Sequence, residues 1–182
     1  MAGSGNLKWH KATLVAALAS RSGPPHDGQM CGRTDAESRH IAAPTDAIYR
    51  ALTEPQARIQ WLPPQGMTAR LERYDLRVGG GYRMVLTLAD PSSSAGKSTA
   101  DSDVVEGTFV ELVEGERVVE TTEFESDDRA FAGTMTMTWQ LTPLADGTDV
   151  SIVATGVPTG IDTADHATGM QSSLENLAAY VE

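Results

Sequence analysis

The sequence predicts an α+β domain: a six- to seven-stranded curved antiparallel sheet around a long C-terminal helix, with two short helices after the first strand. Met135, Met137, Trp139 and Leu141 alternate with Thr134, Thr136, Thr138 and Gln140, the period of two expected of a strand with one buried and one wet face. Met170, Leu174, Leu177, Ala178 and Val181 fall at i, i+4, i+7, i+8 and i+11, one continuous apolar stripe along a helix. A sheet with one apolar face needs a cover, and that helix supplies it.

The elements follow in order. Residues 1–37 read as an N-terminal extension, disordered or not native, ahead of a ligand-binding domain spanning 38–182. In the extension, Lys8 and Lys11 precede the apolar run Ala12 to Ala19, a faint likeness to a secretory signal peptide. Ser22-Gly23-Pro24-Pro25 then reads as linker, and Met30 is an alternative start. Ser38 to Ala43 form the first strand. Pro44 suits the first turn of a helix, where its missing N–H is not needed, and Ile48, Ala51 and Leu52 give that helix an apolar face. Thr53-Glu54-Pro55-Gln56 reads as a capping box for a second helix carrying Ile59 and Trp61, stopped by Pro63-Pro64.

The period then changes to two. Strands are expected over 69–76, from Tyr82 to Leu88, from Val104 to Val113 and from Arg117 to Glu125. They are separated by the Gly79-Gly80-Gly81 turn, a Ser-rich loop from Asp90 to Asp101, and the turn Glu114-Gly115-Glu116; Ser126 to Arg129 turn again. After the strand Thr134 to Leu141, Asp146-Gly147 supplies a hairpin turn, and Val150, Ile152 and Ala154 alternate in the strand beyond it. Pro158 and Gly160 end the sheet. Asp162 caps the last helix, with Asp165 in its first turn favourable to the helix dipole.

Composition narrows the function. The 182 residues carry a net charge of −11, which argues against nucleic acid and against docking on anionic membrane. Asp101 to Asp128 is densely acidic and relieved only by Arg117; this is either the solvated face of strands or a surface for a basic protein partner. Cys31 is the single cysteine, so no internal disulfide forms, in keeping with a cytoplasmic location. The four histidines, at 10, 26, 40 and 166, lack metal-ligand spacing. Gly79-Gly80-Gly81 lacks the Lys-Ser/Thr of a phosphate loop. No catalytic residue, metal or cofactor is assigned.

Ile41-Ala42-Ala43-Pro44, Ile48 to Thr53, Trp61 before Pro63, Asp75 with Gly79 to Met84, Gly107 to Leu112, Glu116 to Val119, Gly169 to Leu177 and Ala179 to Glu182 together resemble the SRPBCC or START-like superfamily. The likeness is to its helix-grip fold and to the branch related to the activator of heat-shock-protein-90 ATPase. The resemblance covers roughly residues 38–182. It implies a cavity between sheet and C-terminal helix, closed at one end by the small helices and used in the superfamily for lipids, sterols, polyketides and other hydrophobic molecules. Many relatives carry Trp where this chain has Met170.

The expected function is therefore binding of a small hydrophobic or aromatic ligand in a cavity of several hundred Å3, by a monomer or homodimer. Candidate wall residues are Trp61, Tyr82, Met84, Phe109, Phe131, Met135, Met137, Trp139, His166, Met170 and Leu174. Each also reads as core packing, and His166 near a helix start as a surface residue. Two alternatives are carried. One is an enzyme of cyclase, dehydratase or hydrolase type, with His166 and Tyr82 converging in the cavity. The other is a co-chaperone-like regulator acting through one acidic patch.

Overall fold

The computed structural model describes residues 33–63, 66–88, 102–124 and 128–182. Strand β1 (Arg33–Ile41) is followed by helices α1 (Thr45–Thr53) and α2 (Pro55–Trp61). Six strands come next: β2 (Met67–Tyr74), β3 (Gly81–Leu88), β4 (Ser102–Val113), β5 (Arg117–Phe124), β6 (Gly133–Leu144) and β7 (Gly147–Val157). The chain ends in α3 (Thr163–Val181). The seven strands make one antiparallel sheet in the order β1-β7-β6-β5-β4-β3-β2. From β2 onward the chain meanders strand by strand, so α1 and α2 carry it from one edge of the sheet to the other.

Several boundaries differ from the sequence reading. β1 starts at Arg33, before the expected Ser38, because β7 is long enough to pair with it as far as Arg33 opposite Val157. Residues 1–32, the Asp90–Asp101 loop and most of the Ser126–Arg129 turn lie outside the described residues. Pro44 is the N-cap of α1, one position before its first turn. The Thr53 capping box does not form: Thr53 is the last residue of α1 and its hydroxyl donates to Tyr49 O at 2.7 Å. Glu54 occupies the N-cap of α2 without a side-chain bond, and Pro55 follows it. A proline at the first helical position has no N–H, so one donor that a cap would satisfy is already missing. Asp162 caps α3 as expected, accepting from Ala164 N at 2.8 Å and Asp165 N at 3.1 Å.

Bulges interrupt β1 between Arg33 and Asp35, β2 between Leu71 and Arg73, and β4 between Phe109 and Glu111. Each adds twist and bends its strand, which helps the sheet curl round the terminal helix. That helix runs parallel to the edge strand β1 and is fixed to it by polar contacts in step. His166 meets Asp35 at 2.7 Å, Gln171 donates to Glu37 at 3.0 Å, Glu175 faces Arg39 at 4.0 Å, and Glu182 accepts from Ala42 N at 3.0 Å. From 166 to 182 a helix advances about 24 Å, and from 35 to 42 a strand advances about 23 Å. The two elements therefore stay in register along their whole shared length. Met135, Met137, Trp139 and Leu141 of β6 are buried, as are Met170, Leu174, Leu177 and Ala178 of α3, so the two sequence patterns meet as one core.

Candidate functional site

The inner face of the sheet contains one unusual row. Phe109 pairs with Glu120, Glu120 with Met137, Met137 with Ala154, and Ala154 with Asp35. All five are buried, and two of them are acids. A buried carboxylate is costly without a partner, and each of these has one from a different helix.

Glu120 is met by Arg58 of α2. Arg58 Nη2 donates to both Glu120 oxygens, at 3.0 and 3.3 Å, and Nη1 donates to Leu52 O at 3.0 Å. The guanidinium lies over the Tyr82 ring, 4.4 Å from its centroid, with Phe109 at 5.7 Å. Arg58 Nε has no hydrogen-bond partner among the described residues and relies on the ring stack. Burial alone would disfavour the charge on Arg58; Glu120 beside it reverses that and holds the guanidinium protonated. Burial, reinforced by Glu120, pushes the Tyr82 phenol well above its ordinary range, so Tyr82 keeps its proton. Gly107 on β4 makes this placement possible. A Cβ there would stand 2.5 Å from Tyr82 Cε1 and 2.7 Å from its hydroxyl, so only glycine lets the ring lie flat across the strand.

Asp35 is met by His166 of α3 and by Arg33. His166 is fully buried; its Nδ1 is 2.7 Å from Asp35 Oδ2, and its Nε2 has no partner among the described residues. Arg33 bonds Asp35 through Nε at 2.8 Å and Nη2 at 2.7 Å, and Ile161 O through Nη1 at 2.8 Å. Burial would raise the Asp35 pKa, but the bonds from Arg33 and His166 outweigh it and hold the carboxyl below the ordinary aspartate range. A folded value below the unfolded one means that unfolding takes up a proton at low pH. The stabilisation from Asp35 is thus complete above the ordinary aspartate pKa of about 3.9 and is lost as pH falls through the lower folded value. Urea unfolding at stepped pH should show the gap between wild type and Asp35→Asn shrinking over that acid window.

Between α3 and the sheet, at the Glu120 end of the row, lies a small cleft. Leu62, Tyr82, Glu120, Met137, Trp139, Ile152, Gly169, Met170 and Ser173 line it, and its volume is about 20 Å3. That is room for roughly one water, far short of the several hundred Å3 expected. The difference arises because Met137 and Met170, reaching in from opposite walls, fill the space and are themselves buried.

Of the residues expected at the site, the fold brings together Tyr82, Met137, Trp139 and Met170. Trp61 sits outside the lining, edge-on to Trp139 with ring centroids 5.7 Å apart, its indole N–H donating to Ala51 O at 2.8 Å. Met84, Phe109, Met135 and Leu174 are buried core residues outside the lining. Phe131 lies on Gly160, where a Cβ would stand 2.7 Å from its ring. His166 is neither a surface residue nor a wall of the cleft, so it and Tyr82 do not converge as the enzyme reading required.

Three buried charged residues, Asp35, Arg58 and Glu120, lie outside the sequence reading, and two of them carry a local signal. Glu120 shares the parity of the fully buried Val118 in a period-two strand, and Arg58 shares a helix face with Trp61; those spacings were the available signals. Among the described residues of the acidic segment, three acids are drawn into the core or into ion pairs. Glu120 points inward, Glu106 pairs with Arg83 at 3.0 Å, and Glu111 pairs with Arg117 at 2.6 Å. The arginines come from neighbouring strands, so the charges interleave on the outer face of the sheet.

A family model described as activator of Hsp90 ATPase homolog 1-like protein matches residues 42–182. The chain belongs to this family. Its match to the crystal structure of protein CV1439 from Chromobacterium violaceum has 36% identity, covers 82% of this chain and 98% of that one, and gives a TM-score of 0.69. The solution structure of an AHSA1-like protein from Aeromonas hydrophila matches at 20% identity over 82% and 92% of the two chains, with a TM-score of 0.66. Protein MLL2253 from Mesorhizobium loti matches at 21% identity over 81% and 96%, with a TM-score of 0.63. The last two likenesses show the fold alone. A search of curated proteins finds no match. The AHSA1-like assignment agrees with the helix-grip arrangement of sheet and α3, and no helix among the described residues is long and apolar enough to cross a membrane.

Proposed function

We propose that this AHSA1-like domain binds a small, largely apolar or aromatic molecule in the cleft between α3 and the inner face of the sheet. The observation that carries the reading is the composition of that cleft. Polar groups of Glu120 and Tyr82 meet at a wall otherwise made of Met137, Trp139, Met170, Leu62 and Ile152. Pockets for small molecules combine such a wall with a few placed polar groups. Methionine is unbranched and has three rotatable bonds, so Met137 and Met170 can swing aside at lower cost than branched or aromatic side chains. Gly169 beside Met170 leaves space where any other residue would place a side chain.

Indole is a suitable first ligand because its size matches one displaced methionine pair. Saturating indole should raise the melting temperature by mass action. Met170→Trp fills the cleft with a fixed ring and should abolish that rise; overpacking adds a stability cost of about 1–3 kcal/mol. Met84→Leu, a volume-conserving change in the core away from the cleft, should leave the indole effect in place. A melting temperature unmoved by indole and by a panel of small aromatics and alcohols would sink the reading.

A further inference from the structure

The polar end of the cleft has a single chemical character. Both Glu120 oxygens accept from one nitrogen of Arg58, at 3.0 and 3.3 Å, the protonated Tyr82 hydroxyl is turned to the same carboxylate as a donor, and a carboxylate has about four lone-pair sites. Acceptor capacity therefore remains on a group that forms part of the cleft wall. Arg58 is outside that wall: its Nη1 is taken by Leu52 O and its plane is stacked on Tyr82. Ser173 Oγ donates to Gly169 O at 3.0 Å, so towards the cleft it offers lone pairs. No cationic side chain among the described residues lines the space, whose other surfaces are thioether, indole and aliphatic.

Taking the cleft as the binding site, we infer that its occupant carries a hydrogen-bond-donating head, an alcohol, amide or amine on a small apolar or aromatic body, and that carboxylates are excluded. A donor head satisfies the spare lone pairs of Glu120. An ammonium gains in addition from the indole of Trp139. A carboxylate head would set a second anion against Glu120 in a partly desolvated space, with no arginine or lysine on the wall to receive it.

Four compounds with one ring and nearly one size separate the possibilities: toluene, benzyl alcohol, benzylamine and benzoate, titrated calorimetrically into the full chain. Benzyl alcohol and benzylamine should bind about tenfold more tightly than toluene, the margin of a hydrogen bond to a charged group, and benzoate should bind most weakly. Benzoate equal to or tighter than the alcohol, or toluene equal to the alcohol, overturns the head-group inference and leaves the cleft reading standing. Binding by none of the four overturns both. In the double variant Arg58→Met/Glu120→Leu, which removes both charges together, the preference for alcohol over toluene should fall to near onefold; an unchanged preference in folded protein contradicts the inference. A wild-type measurement does not depend on the variant folding. The CH2 protons of bound benzyl alcohol should show nuclear Overhauser contacts to Glu120 Hγ. A ring seated against Glu120 with the hydroxyl pointing out would contradict the inference.

Discussion

Arg58→Met should destabilise the protein by about 3–5 kcal/mol, the cost of stranding a buried charge after removing its partner. Glu120 is 5% exposed and, among the described residues, its one ion pair is with Arg58, so the carboxylate left behind can neither reach water freely nor find another cation there. For a domain of this size each kcal/mol moves the melting midpoint by roughly 2–4 °C, so the loss should be plain in a thermal melt. Arg58→Met/Glu120→Leu should recover most of the loss, because replacing a buried pair by apolar residues is often neutral. Urea denaturation of the two singles and the double closes the cycle. Equal losses in single and double would mean that packing of the Arg58 stem over Tyr82, and not the charge, holds α2 to the sheet.

Phe109→Ala should cost a comparable 3–5 kcal/mol. Phe109 is fully buried and anchors the β4 end of the row that bears Glu120. Its ring stands 5.8 Å from those of both Tyr74 and Tyr82, edge-on to the first and tilted to the second, and 5.7 Å from the Arg58 guanidinium. Truncation removes the support on which Tyr82 and Arg58 are stacked, so the variant should lose cleft binding as well as stability. Phe109→Leu keeps most of the volume and should fall between the two in both measurements. The denaturation midpoint and the response to indole together check this.

The sequence was most legible where neighbours along the chain share a face. Alternation in Thr134 to Leu141 and the Met170–Val181 stripe identified the sheet and its cover because both signals are local. Residues whose burial depends on a distant partner were illegible. Asp35 sits in a stretch that reads as tail, and only Arg33, together with His166 more than a hundred positions away, makes a buried acid tolerable there. Glu120 is an acid among Val118, Val119 and Thr121, and its inward aim is rescued by Arg58 from α2. The methionines pose a different difficulty. Met84, Met135, Met137 and Met170 are alike in sequence and all buried, yet only Met137 and Met170 line the cleft. What separates Met137 from Met135 is its place in the row beside Glu120 and across from Gly169, and that follows from register across strands and helix placement.

That separation gives the most direct test of the cleft as a binding site. In protein labelled at methionine methyl carbons, titration with benzyl alcohol should shift the Met137 and Met170 resonances along saturable curves, while Met84 and Met135 stay within the scatter of a buffer titration. Shifts confined to Met84 or Met135, or four methyls that all remain still at saturating alcohol, would contradict the account.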